Sequence, residues 1–420
     1  MLTGEKPDNI PGMVKFLLRS FRYRNYRLFF AGQGISLIGT WIQNIAMSWL
    51  VYKMTNSAFL LGIVGFAGQI PTFLLSPFAG VMADRWNRHR MLVITQTLAM
   101  VQALILALLI LSGGITVGYI LVLSVSLGLV YSFDIPVRQS FVVDMIENRE
   151  DLGNAIALNS SMFNGARLLG PSVAGILIST VGEGVCFLIN GISYLAVIAA
   201  LLSMRVVRGN PSQRRGKVLP ELKEGLVYAF GSRPIRYVIL FVALISLTSV
   251  PYTVLMPVFA REILHGGAHT LGFLMGFTGA GALFGAVFLA SRKNTGGLVR
   301  IIPLAGAVFG FGLIAFSFSR VMWLSSLLLA VVGFGMMVHL ASSNTVLQTL
   351  VEDQKRGRVM SFYAMAFMGM TPLGSLMAGT LAGIIGAPYT LAIGGACSIL
   401  GALLFAGKIK KFACTAAKEM

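Results

Sequence analysis

Apolar residues in this chain do not alternate with polar ones. They run together in blocks of about 20, the length that crosses a bilayer core of about 30 Å as a helix. Twelve blocks are legible, at 28–52, 57–83, 91–112, 117–138, 152–180, 183–205, 236–260, 270–291, 298–318, 321–345, 358–384 and 387–408. Backbone groups in lipid must be satisfied within their own segment or in a closed barrel, and unbroken apolar runs select the helix. The pattern predicts an all-α membrane protein with twelve transmembrane helices. Composition agrees: of 420 residues, 56% are hydrophobic and only 11% charged, against about 25% charged in soluble domains.

The polar stretches between blocks fix an orientation. Of the 33 Lys and Arg residues, 29 fall in the termini and alternate connections, and only Lys53, Arg261 and Arg320 fall on the opposite side. That asymmetry places both termini in the cytoplasm of a cell (inner) membrane. It also accounts for a net charge of +18 without nucleic acid, because no single folded patch collects the charge. The first 29 residues hold no short apolar core with a small-residue cleavage site, so the first span is expected to target the chain. Three scattered cysteines make neither a disulfide framework nor a metal spacing. No metal or cofactor is expected. His265, His269 and Glu262 cross a Gly-Gly turn in "REILHGGAH" and are not read as ligands, and no catalytic grouping is present.

The chain repeats itself. "GNAIALNSSMFNGARLLGPSVAGIL" (153–177) aligns with "GRVMSFYAMAFMGMTPLGSLMAGTL" (357–381) at a displacement of 204, and "SAFLLG" (57–62) aligns with "GAHTLG" (267–272) at 210. Spans five and eleven, and two and eight, thereby correspond, which predicts two six-helix pseudo-repeats. The expected organisation is a cytoplasmic segment 1–27, a bundle 28–205, a basic connector 206–235, a bundle 236–408 and a cytoplasmic tail 409–420.

Between spans two and three the chain reads "GVMADRWNRHRML" (80–92), which resembles the signature loop of the major facilitator superfamily, departing from it at Asn87, where that pattern has glycine. "GARLLGPSVAG" (165–175), with Gly165, Gly170, Pro171 and Gly175, is similar to the superfamily's antiporter motif, although Val173–Ala174–Gly175 replaces the paired glycine ending. With Pro136, Arg138 and Gln139, these features look most like the enterobactin-exporter, or transmembrane secretion effector, branch. The resemblance implies the major facilitator fold and alternating access. It further implies a cytoplasmic latch, for which Gly80, Asp84, Arg85, Arg88, Asp134 and Arg138 are the candidates, with Asp134 as the expected acid for Arg85 and Arg88. The plain alternative is that these arginines only set topology, to which Asp84 would add nothing.

Two polar stripes inside apolar spans mark a candidate cavity. Ser160, Asn164, Arg167 and Pro171 share one face of span five, and Gln33, Ser36, Thr40, Asn44 and Ser48 share one face of span one. Arg167 is a charge within a span, so it either meets an anionic substrate group or is a structural arginine bonded to carbonyls or to Asp134. Eight of the 21 methionines fall in 321–380. Met365 and Met368 among them, with Tyr252 from span seven, are the candidates for a softer opposite wall, unless the methionines merely pack helices. The expected substrate is an amphiphilic small molecule, such as a siderophore or drug, exported by a monomer. No GxxxxGK[ST] loop occurs, so an ion gradient, by proton antiport, is the expected drive, with Asp134 and His339 as coupling candidates. A lysophospholipid carrier and a non-transporting sensor or scaffold are the alternatives; the latter needs a signalling domain for which the short ends leave little room.

Overall fold

The computed structural model describes residues 18–205, 227–292 and 297–416; within these, the side chains of 76, 77, 80–85, 353, 354 and 409–416 lie outside the description. Most of the expected connector, the surroundings of Gly80, and the side chains of Asp84 and Arg85 therefore lie outside the description. Among the described residues every regular element is helical.

Each apolar block is a helix. In the amino-terminal half these are α1 (Arg24–Thr55), α2 (Ala58–Arg85), α3 (Arg88–Leu111), α4 (Val117–Asp144), α5 (152–181) and α6 (183–202). The carboxy-terminal half has α7 (Arg233–Ile263), α8 (Ala268–Ala290), α9 (Leu298–Phe318), α10 (Met322–Leu350), α11 (Lys355–Ile385) and α12 (Ala387–Ala416). The hydrogen-bonded run Leu152–Leu202 spans 51 residues. As one rod it would be about 75 Å long, more than twice the thickness of the hydrocarbon core. Gly182, at φ 83° and ψ 171°, turns it back on itself, in a region of backbone space that only glycine enters freely. Eleven apolar helical stretches thus make twelve crossings. Both described ends consequently lie on one side, the terminal side; the other is the far side.

Local chemistry sets several boundaries. Asn87, the departure from the superfamily loop, caps α3 by accepting the Arg90 N–H at 3.0 Å, as an N-cap should. Thr116 caps α4 through the Tyr119 N–H. Helices α4 and α10 run on past their apolar blocks, to Asp144 and Leu350. A break at 249–251, ahead of Tyr252, divides α7, and π-helical turns occupy Phe259–Ile263 in α7 and Met365–Gly369 in α11.

Packing repeats between the halves. Helix α2 packs on α4 as α8 does on α10, and α3 packs on α6 as α9 does on α12. Across the halves, α5 packs on α8 and α2 on α11. These two seams are built from the glycines that aligned in the repeat. A Cβ on Gly272 would lie 2.7 Å from the Gly175 Cα, and one on Gly379 would lie 2.7 Å from the Gly62 Cα. Glycine is required at both seams because the backbones touch.

Candidate substrate cavity

The seams are tight on the far side and part toward the terminal side. Along α5, Pro171 is buried, Arg167 and Asn164 are half-buried and Ser160 is exposed. At the displacement of 204, α11 repeats the gradient: Ser375 buried, Thr371 half-buried, Met368 and Ala364 exposed. Closure of the far side is reinforced by polar contacts. The buried Tyr52 hydroxyl of α1 donates to Glu262 at the end of α7, joining the two halves. Within the amino-terminal half, Lys53 Nζ meets Glu183 at 2.9 Å. Glu262 is thus occupied by a tyrosine.

At the middle of the membrane, between the halves, lies a cavity of ≈440 Å³. Its amino-terminal wall is polar, with Gln43, Asn44, Gln69, Gln102, Ser124 and Tyr131 from α1 to α4, and Trp41 beside them. The opposite wall is milder, with Thr253, Val254, Met275, Thr278 and Thr371. Arg167 is the one charged side chain lining it among the described residues. Among the described residues its guanidinium reaches only the Met336 sulfur of α10, 4.0 Å away, and lies within electrostatic reach of Tyr252. The Tyr252 hydroxyl is buried beside Thr278. An arginine against a thioether keeps most of its five donors unused.

The polar wall is held in register by an amide chain. Asn190 of α6 donates to Gln43 Oε1 at 2.7 Å, Gln43 donates to Gln102 Oε1 at 3.1 Å, and Gln102 donates to the Leu123 carbonyl at 3.2 Å. Side-chain bonds between helices inside lipid fix relative rotation as well as separation.

Of the cavity residues read from sequence, Asn44, Ser48, Arg167 and Pro171 line the cavity. Gln33 and Ser36 do not: both are buried in helix packing, nearer the terminal end of α1. Thr40 turns its hydroxyl to its own helix, onto the Ser36 carbonyl. Helix α1 presents Asn44 and Ser48 of the predicted stripe to the cavity, together with Trp41, Gln43, Ile45, Met47 and Val51 around them. Ser160, Asn164, Met365 and Met368 flank the parting seam beyond the cavity. Tyr252 sits behind Arg167, its ring against Phe309. Gln43, Gln69 and Gln102, which line the cavity, are not among the residues read from the sequence, although an amide in mid-span is itself a signal.

On the terminal side, Arg88 pairs with Asp144 at 3.1 Å, not with Asp134 as expected. Asp134 lies ten residues, about 15 Å, farther along α4, and there Arg138 is 3.4 Å from it. His339 is buried in the carboxy-terminal half, away from the cavity lining. Gly170 receives the Trp41 side chain, where a Cβ would lie 2.4 Å from the Trp41 Cβ, while Gly165 has nothing within 4 Å. A clamp that the sequence did not suggest holds residues 19–23 to the start of α5. Asp151 meets Arg19 at 3.0 Å, Arg22 at 2.6 Å and the Tyr23 hydroxyl at 2.8 Å. Arg22 also donates to the Tyr23 hydroxyl at 2.6 Å, and that bond, with the Asp151 charge adding to it, raises the Arg22 pKa above its ordinary value.

The sequence model of the transmembrane secretion effectors, a family of the major facilitator superfamily, matches residues 17–418. The chain belongs to this family. Its curated relatives include the staphyloferrin A transporter of Staphylococcus aureus (strain NCTC 8325 / PS 47), 26% identical over 380 residues, covering 90% of this chain and 95% of the relative. The multidrug efflux pump Tap of Mycolicibacterium fortuitum is 25% identical over 364 residues, 85% and 87% of the two chains. Among solved structures, a mutant of the nucleoside transporter NupG superposes with a TM-score of 0.72 over 93% of this chain and 99% of that one, at 14% identity. This secretion effector is therefore a multi-pass membrane transporter with the major facilitator fold, and not an enzyme.

Proposed function

We propose that the protein exports an amphiphilic small molecule bearing an anionic group, by alternating access of the midplane cavity to the two faces. The observation that carries this reading is Arg167, a cation in the cavity wall with a sulfur as its hydrogen-bond acceptor. A charge inside a membrane needs a partner, and a carboxylate or similar group would accept from it at charge-assisted strength, about 1.5–3 kcal/mol. Tyr252 and Thr278 stand beside it. Ile45, Met47, Val51, Val64, Val254 and Met275 offer an apolar surface for the body of such a molecule. The cavity volume falls in the range of drug-sized sites. Relatives named as a staphyloferrin A transporter and a multidrug efflux pump support export of this class.

The alternation itself is supported by the seams, closed by glycine contacts and the Tyr52–Glu262 bond at one end and parting at the other. With the Lys and Arg bias placing the terminal side in the cytoplasm, this is the state that takes substrate from inside. An ion gradient, by proton antiport, returns the carrier.

The test is transport in inverted vesicles of an anionic, a neutral and a cationic amphiphile of matched size. The anionic one is expected to accumulate, and Arg167→Gln to reduce its transport at least tenfold at normal abundance. Full transport by both Arg167→Gln and Arg167→Lys overturns the reading.

A further inference from the structure

Asp134 is 1% exposed, and among the described residues it is the one carboxylate buried well inside a span. Its surroundings are unequal. Oδ1 accepts from Thr95 at 2.9 Å and from Gln96 at 2.7 Å, both on α3. Oδ2 makes no hydrogen bond among the described residues and faces Arg138 at 3.4 Å. The Arg138 side chain is 21% exposed, so this oxygen stands behind a cation that reaches solvent. From α6, Tyr194 lies within electrostatic reach of Asp134, as does Tyr131 one turn earlier on α4. The two tyrosine hydroxyls are 3.4 Å apart, and Tyr131 lines the cavity. Polar groups thus run from the cavity through Tyr131 and Tyr194 to Asp134, and on through Arg138 toward the terminal side. Arg138 is the one charged group facing Asp134 among the described residues.

His339 occupies the matching place in the other half, 205 positions on, and its setting differs. Nδ1 lies 3.2 Å from the Ile302 carbonyl, the ring meets Phe241 edge-on at 4.7 Å, and Nε2 has no partner among the described residues. No hydrogen bond links it to a cavity-lining residue among the described residues.

We propose that Asp134, and not His339, binds the coupling proton, taking it up and releasing it past Arg138 and reporting its charge to the cavity through Tyr194 and Tyr131. This rests on the transport reading above. The ionised carboxylate holds Arg138 inward. A proton on Oδ2 neutralises the carboxylate, and Arg138, no longer held inward by a counter-charge, turns further to solvent. That change alters what Tyr131 meets at the cavity wall, so proton and substrate occupancy become linked.

The full-length protein in liposomes separates the possibilities, with a dansylated medium-chain carboxylate as probe. Asp134→Asn is expected to keep exchange of the probe without a gradient and to lose at least tenfold of its accumulation against a pH gradient. Asp134→Glu is expected to restore part of that accumulation, His339→Asn to keep both activities, and Tyr194→Phe, at a position outside the cavity lining, to weaken only the gradient response. Independently of any probe, the wild type is expected to gain, on acidification, the infrared carbonyl band of a buried protonated carboxyl, which Asp134→Asn lacks. Undiminished accumulation in Asp134→Asn, its loss in His339→Asn instead, or an infrared change identical in wild type and Asp134→Asn would each overturn the proposal. A wild type that does not exchange the probe would defeat the cavity reading, while the infrared comparison still decides the fate of Asp134.

Discussion

The two halves share a backbone plan and divide the chemistry unequally. Arg167 in α5 corresponds to Thr371 in α11, Asp134 in α4 to His339 in α10, and Asp151 at the start of α5 to Lys355 at the start of α11. Tyr23 accompanies Asp151 by a hydrogen bond, and Tyr228, 205 positions on, accompanies Lys355 by its ring face at 4.4 Å. Packing positions were retained where helices touch, as at the four seam glycines, whereas charged positions diverged. A duplicated scaffold can keep its hinge symmetric and still present one polar and one mild wall to a substrate, because packing constrains both copies and chemistry needs only one.

The sharpest way to break this comparison is to move the charge. Arg167→Thr is expected to lower transport of an anionic amphiphile by 10–100-fold, the loss of about 1.5–3 kcal/mol of charge-assisted bonding. Adding Thr371→Arg is expected to recover part of it, because both positions line the same cavity. Vesicle transport at matched abundance measures both. Next in size are the seams: Gly175→Leu or Gly379→Leu places a side chain where backbones touch. Each is expected to hold the far side open, read as far-side labelling of a cysteine placed at Val51 or Val254. Removing the Tyr52 hydroxyl with Tyr52→Phe deletes one bond between the halves. That is worth about 1 kcal/mol, hence about a fivefold shift toward far-side accessibility in the same assay. Asn87→Ala removes the α3 cap and is expected to cost about 1 kcal/mol, seen as a lower melting temperature in detergent. Asp144→Asn, which breaks a partly exposed pair with Arg88, is expected to change stability by under about 1 kcal/mol.

The fold was legible in the sequence because lipid imposes a length and a continuity that soluble cores do not. Even the turn between α5 and α6 fell where the apolar run passes "VGEG" around Gly182. The repeat was legible through glycines, since backbone contact tolerates nothing larger. The cavity was legible only in part. A polar stripe reveals that one face of a helix differs from the rest, and cannot say whether that face meets water or another helix. Hence Gln33 and Ser36 are buried in packing, while Trp41 and Val51 face the cavity. Met365 and Met368 fall on the seam for the same reason. Pairing was least legible: Arg88 meets Asp144 because α4 continues past its apolar block, and the Asp151 clamp joins residues well over a hundred positions apart.

The single-residue turn at Gly182 has a mechanical consequence. With no slack between them, α5 and α6 behave as one stiff hairpin, and Asn190 on its second arm grips Gln43 of α1. Under the proposed alternating access, any swing of the arm that carries Arg167 drags the glutamine wall with it, so the cation and the amides would arrive together at either face.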